Sequence, residues 1–403
     1  MTAVGRWPRL AGWAGLLLLA ATVAMLARPS RPDRREVLGR YSLEYAALIG
    51  ATAIAGAWWS GGFARPGTPW AGGAGVTFRA LCEAGVMILF VFGVSEGLCR
   101  LAARPLAHFT GGPALVRDYP KATVNSHGLR DPERPFAKPA GAFRMLTLGD
   151  SFMFGHGVAD DSTCARILER TFNARGGTPV EVVNASHIGF NSAQERARLD
   201  PLGLRFHPDL LMLAYVLNDP EEKPLAYPSL LPGSLGMAME WSSFYYLLRA
   251  IAFRALVAAG KMPEYPAYIR AMFDPSLASW QRHRAALRGI VADAASAGVR
   301  VVAVVWPYAD KGHAFTPYGF AREQAMAVAA LREAGAETLD LYPVFAHDRY
   351  EDLALTDADS HPNARSHRLA AAAITQFLDA HGLVPGRAPV AAHAATTATA
   401  AAR

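Results

Sequence analysis

Between residues 144 and 381, five short apolar runs alternate with stretches of helical periodicity, and this rhythm limits the possible folds more than any other feature. Arg144–Leu148, Val180–Asn184, Leu210–Leu217, Val299–Val305 and Glu337–Leu341 read as strands. Helices are expected at Ser162–Arg175, from Ser192 onward, and at Ser279–Ala297, Phe320–Ala334 and Asn363–His381. Cys164, Ile167, Leu168 and Phe172 share one face of the first, and Ser192 with Glu195 has the spacing of a capping box. Strands that are apolar throughout belong to a sheet buried on both faces, and helices between them act as crossovers. The expectation is therefore an α/β domain of three layers around a five-stranded parallel sheet.

That domain accounts for little more than half of the 403 residues. Residues 1–104 carry eleven Arg against five acids, a net +6 that equals the charge of the whole chain. The remainder is neutral and lacks a basic cluster interleaved with aromatics, which excludes a nucleic-acid footprint. The charge sits instead beside apolar segments. Leu10–Leu26 and Tyr45–Ala64 are uncharged runs close to the ~20 residues that span a bilayer. A third run, Ala80–Cys99, contains Glu83 and Glu96, each expensive at membrane depth unless partnered or near an interface. Residues 1–104 thus read as a membrane anchor of two or three transmembrane helices. The arginines at 28, 31, 34, 35 and 40 favour a cytoplasmic loop, so three spans leave the catalytic region in the cytoplasm and two leave it outside.

Residues 105–143 form a Pro- and Gly-rich connector packed on the next domain, and 144–385 is that domain. It is interrupted at about 220–274 by Pro-rich loops and an aromatic-rich helical stretch, Trp241 to Ala258, which reads as a lid, a lipid-touching surface or a subdomain packing its own aromatics. Residues 386–403 are an Ala- and Thr-rich tail too uniform to pack. Cys82, Cys99 and Cys164 have neither disulfide nor zinc spacing, and no two histidines stand at i, i+4 on one helix, so no metal and no cofactor is expected.

In open parallel sheets, ligands bind beyond the carboxyl ends of the strands. Gly149-Asp150-Ser151 follows the first strand, Ala185-Ser186-His187-Ile188-Gly189 the second, and Asn218-Asp219 the third; the last strand leads to Asp357-Ala358-Asp359-Ser360-His361-Pro362-Asn363. A serine hydroxyl needs a hydrogen-bonded base, which His361 at a helix entrance supplies once a carboxylate orients its ring. The backbone N–H groups of Ser151 and Gly189 and the amide of Asn218 are candidate oxyanion donors. Asp150 and Asp219 are expected to hold their loops, His187 to wall the pocket, and Asn191 to line it.

The four blocks Gly149-Asp150-Ser151, Val182 to Gly189, Asn218-Asp219 and His361-Pro362-Asn363 resemble those of the SGNH/GDSL hydrolases, over roughly residues 144–382. The lead-in Asn125-Ser126-His127-Gly128-Leu129-Arg130-Asp131 is similar to that of membrane-anchored bacterial members. The resemblance implies a flavodoxin-like sheet, an inner-membrane protein with its catalytic domain outside the cytoplasm, and a serine esterase or acyltransferase. Its substrate would be an acylated carbohydrate or lipid, held through an O-acyl or thioester group. The alternative is a non-catalytic module that binds acylated glycan in envelope assembly. The chain departs from the family pattern twice. Val216 stands where the third block usually has Gly, and Ala358 stands where the aspartate three residues before His is expected. Asp359 is chosen in its place, with Asp357 second.

Overall fold

The computed structural model describes residues 17–23, 25–26, 36–37, 41–60, 73–102, 119–120 and 122–385, apart from 224, 226–227, 234–235, 237–238, 240–241, 309–314, 316 and 357–358. Residues 10–16 and 24 of the first apolar run, the start of the connector, Asp357 and the tail from 386 lie outside the described residues. The chain divides into two compact units, Met1–Asp118 with Ala226–Pro263, and Tyr119–Leu225 with Glu264–Arg403. The middle of the expected insertion thus groups with the N-terminal residues, and the chain passes between the units three times.

The first unit contains α1 (Leu43–Ser60), α2 (Gly73–Leu101) and, from the insertion, the helix Ser243–Ala258. No helix among the described residues is long and apolar enough to cross a membrane. α1 ends after 18 residues, and α2, though 29 residues long, carries Arg79, Glu83, Glu96 and Arg100.

The second unit is built on β1 (Phe143–Leu148), β2 (Val180–Asn184), β3 (Leu210–Tyr215), β4 (Arg300–Val305) and β5 (Glu337–Asp340). All pair in parallel, in the order β2-β1-β3-β4-β5. That is the flavodoxin-like order, with its topological switch point between β1 and β3. β1 and β3 are buried at every residue because helices cover both faces. α4 (Cys164–Ala174) packs on α8 (Ala364–Ala380), while α5 (Ser192–Arg198), α6 (Ala278–Ser296) and α7 (Ala321–Glu333) form the other helical layer. α3 is the single turn Ser151–Phe154.

Two local expectations are corrected. β3 ends at Tyr215, because the Asp219 carboxylate and N–H bond the N–H and C=O of Val216 and close a turn there. The capping box of α5 is formed by Asn191 and Gln194, one residue before Ser192 and Glu195. The Asn191 side-chain nitrogen also donates to the Glu221 carbonyl, so the residue is a cap and a loop tie rather than pocket lining.

Candidate active site

Ser151 takes its position from three local constraints. Gly149 brings the chain so close to β3 that a Cβ there would lie 2.8 Å from the Ala214 carbonyl oxygen, so only glycine fits. Asp150 follows as the N-cap of α3, with Oδ1 accepting from the Phe152 N–H at 2.8 Å. Ser151 then opens the helix, 6% exposed, with its Oγ at the carboxyl edge of the sheet. Below it the buried Asn184 side chain donates to the Met153 carbonyl, bracing α3 on β2. From the lead-in motif, the buried Arg130 guanidinium donates to the carbonyls of Phe154, Gly155 and Val158 and pairs with Asp160. The turn that follows the serine is therefore held by a single side chain.

His361 stands on a short strand that leads into the entrance of α8. Ala354–Thr356 and Asp359–Pro362 form a short antiparallel hairpin, and Asn363 then caps α8 by accepting from the N–H groups of Arg365 and Ser366. The hairpin puts His361 Nε2 2.9 Å from Ser151 Oγ, and His361 Nδ1 2.5 Å from Asp359 Oδ1. Asp359 is buried, and its other oxygen accepts from the Tyr119 hydroxyl at 2.8 Å. The result is one hydrogen-bonded line, Tyr119–Asp359–His361–Ser151. An aspartate two residues before the histidine reaches its ring because the extended backbone of the hairpin turns both side chains to the same place. Asp357, the second candidate, lies outside the described residues.

The two expected oxyanion partners differ in how they are fixed. Asn218 Nδ2 lies 3.4 Å from Asp150 Oδ2, the oxygen that Ser151 Oγ approaches at 3.3 Å, so amide and hydroxyl meet at one corner. Gly189 is on an exposed loop tied to the end of β1 by the His187 N–H on the Gly149 carbonyl at 3.0 Å. Its φ of +75° is a conformation that favours glycine, with open space where a Cβ would stand. His187 stacks on Phe190 at the rim of this loop.

Three features had no clear sequence signal. Tyr119 is separated from Asp359 by 240 residues with no spacing rule to join them. The His156 ring lies 4.6 Å from that of His361 and edge-on to Tyr119. His156, Asp359 and His361 place ligand-capable atoms within 4.8 Å of one another, yet both His361 ring nitrogens and both Asp359 oxygens are already engaged along the line. Beneath the site, Asp150, Glu195 and Asp219 are buried together, and burial pushes each carboxyl above its usual range, the last two far above it. His367, near the motifs in sequence, is enclosed. It accepts from the Cys164 N–H, and burial lowers its pKa to about 3, which keeps it neutral.

Comparison with known proteins follows the same segments. The chain resembles solved structures at low identity: the esterase EstA from Pseudoalteromonas sp. (14% identity, 60% of this chain and 99% of that one, TM-score 0.37) and a lipase/acylhydrolase from Enterococcus faecalis (17%, 59% and 95%, 0.38). A third is an acetyl-xylooligosaccharide esterase variant from Geobacillus (15%, 60% and 95%, 0.37). No curated protein sequence matches. A family model does, over residues 147–369, which runs from the end of β1 through the serine turn and the hairpin into α8. With more than half of its length matched, and with the nucleophile turn and the histidine both inside the match, the chain belongs to the GDSL-like lipase/acylhydrolase family.

Proposed function

We propose that the chain is a serine esterase or acyltransferase that works through an acyl-enzyme, and the observation that carries this reading is the Tyr119–Asp359–His361–Ser151 line. His361 Nε2 takes the hydroxyl proton as Ser151 Oγ attacks the acyl carbonyl, and Asp359 holds the ring so that Nδ1 keeps its proton. The tetrahedral oxyanion is met by the N–H groups of Ser151 and Gly189 and by Asn218 Nδ2. His361 returns its proton to the departing alcohol or thiol. Water, or the hydroxyl of an acceptor, then attacks the acyl-serine with His361 again as base.

The substrate in this reading is an acylated carbohydrate or lipid, and the protein is attached to the bacterial inner membrane through its N-terminal unit with the catalytic unit outside. The resemblance of the lead-in Asn125 to Asp131 supports that placement. A reporter fused after residue 385 that is active only in the cytoplasm would overturn it. The rival, a non-catalytic glycan-binding module, drew its support from Ala358, and Asp359 at 2.5 Å from the ring removes that support. Full-length protein is expected to label with a fluorophosphonate probe, and Ser151→Ala to lose all labelling. Equal labelling of the two proteins would remove Ser151 from the reaction.

A further inference from the structure

The two units distribute polarity in opposite senses. Among the described residues, all exposed large hydrophobic side chains except Val124, Ile188 and Leu277 belong to the first unit. Ile54, Ile88, Val91, Leu98, Leu248 and Ile251 point outward, Ile88 at 68% exposure and Ile251 at 46%. Inside the same unit lie Glu96 at 0% and Arg100 at 1%, with Thr52 beside them in burial. A unit folded for water places these groups the other way round. A unit folded for lipid turns aliphatic chains outward and encloses its ionisable groups with partners.

Glu96 has those partners, and the insertion supplies most of them. One oxygen accepts from Arg100 Nε at 2.6 Å and the Ser243 N–H at 3.0 Å; the other accepts from Ser242 Oγ at 2.8 Å and the Phe244 N–H at 2.9 Å. The carboxylate thus caps the insertion helix Ser243–Ala258 at its positive end while Arg100 balances its charge. Arg100 in turn lies 3.7 Å from the Tyr45 ring centroid, which ties α1 to the same knot. The glutamate that seemed to bar α2 from a membrane is therefore the joint between α2 and the insertion.

The helix is 16 residues long, or about 24 Å, short of the ~30 Å hydrocarbon core. One side is buried through Tyr245, Tyr246 and Ala250, and the other presents Leu248 and Ile251. The helix carries no acid and two arginines, Arg249, whose Nε donates to the Pro228 carbonyl at 3.1 Å, and the exposed Arg254, with Lys261 just past its end, a cationic helix suited to anionic headgroups. We propose that Ser243–Ala258 lies in the headgroup boundary of an anionic bilayer with Leu248 and Ile251 among the acyl chains, so that the insertion is a built part of the membrane unit. This rests on the membrane attachment proposed above and is independent of the ester chemistry.

The test uses full-length protein, with Cys82, Cys99 and Cys164 replaced by Ala, in phosphatidylcholine bilayers containing phosphatidylglycerol. An environment-sensitive fluorophore is placed at Ile88→Cys, Ile251→Cys, Leu248→Cys or Leu277→Cys, and a cooperative thermal unfolding transition selects folded samples. Brominated lipid is expected to quench positions 88, 248 and 251 at least twofold and to leave 277 unchanged. Quenching at 88 with iodide quenching at 248 and 251 would overturn the inference and spare the attachment. Protection of 248 and 251 from both quenchers would also overturn it, since a protein partner would then cover the helix. Loss of lipid quenching at all positions would overturn both. Repeating the measurement in Ser151→Ala keeps it separate from catalysis, because the quenching is expected to be unchanged there.

Discussion

In the first unit Glu96 lies at 0% exposure and accepts four hydrogen bonds, one from a guanidinium and two from the N-terminus of a helix. In the second, Glu195 is equally buried, and neither of its oxygens has a hydrogen-bond partner among the described residues. Its neighbours are carboxyl groups, Asp150 and Asp219, and burial with their charge raises its pKa far above the usual range. A buried carboxylate needs compensation from a cation and donors, or it is neutralised by a proton. Asp359 shows a third arrangement: buried, with Tyr119 on one oxygen and His361 on the other, it uses its charge to hold a ring.

The largest expected effect falls on the carboxylate that serves the reaction. Asp359→Ala is expected to lower kcat/KM for a soluble ester by about 10³-fold or more, since the histidine loses both tautomer and orientation. A loss under tenfold would make Asp359 a structural acid like the other two. Glu96→Ala comes next. It leaves Arg100 buried without its counter-charge and the Ser243 and Phe244 N–H groups of the insertion helix without their acceptor, a loss of about 3–5 kcal/mol. We expect proteolysis of detergent-solubilised protein to open within 226–263, while Ser151 still labels with fluorophosphonate. Unchanged protease resistance would mean that Glu96 stabilises nothing. Tyr119→Phe removes one hydrogen bond to Asp359, so a drop of about tenfold in kcat with little change in KM is expected. A role confined to packing would leave kcat and its pH profile as they are.

The inner strands were legible in the sequence because β1, β3 and β4 are mainly apolar runs buried on both faces, whereas the edge strand β5, Glu337–Asp340, is polar and half-buried; the strand limits fall within a residue or two of those expected. Ser151 and His361 were legible through motifs that pin them to strand ends. The hairpin that carries His361 was not, because Asp359-Ser360-His361-Pro362 has no β-branched or aromatic residue and no alternating pattern. The partners of Glu96 and Asp359 escaped for a different reason. Glu96 is joined to its insertion partners across 146 to 148 residues and Asp359 to Tyr119 across 240, which leaves no periodicity to read. Glu195 was misread as a cap because its spacing from Ser192 suits a capping box, whereas Asn191 starts the helix one residue earlier and turns Glu195 inward.

Glu195 gives the sharpest test of the contrast with Glu96. If it is held as the neutral acid, Glu195→Gln keeps its shape and removes only the ability to ionise. Below the unfolded value near pH 4.3 both folded and unfolded wild type are protonated, and the two proteins share the same pH dependence. Above it the unfolded wild type releases its proton while the folded form retains it, so wild-type stability falls with rising pH until the raised folded pKa is reached. Each pH unit in that window is worth about 1.4 kcal/mol, and Gln is free of the loss. The Tm of Glu195→Gln minus that of wild type is therefore expected to grow from pH 5 to pH 8. The same substitution at Glu96 is expected to lower Tm, since the amide cannot balance Arg100. A Glu195→Gln deficit that stays constant with pH would show a paired carboxylate at both positions and end the distinction between the two units.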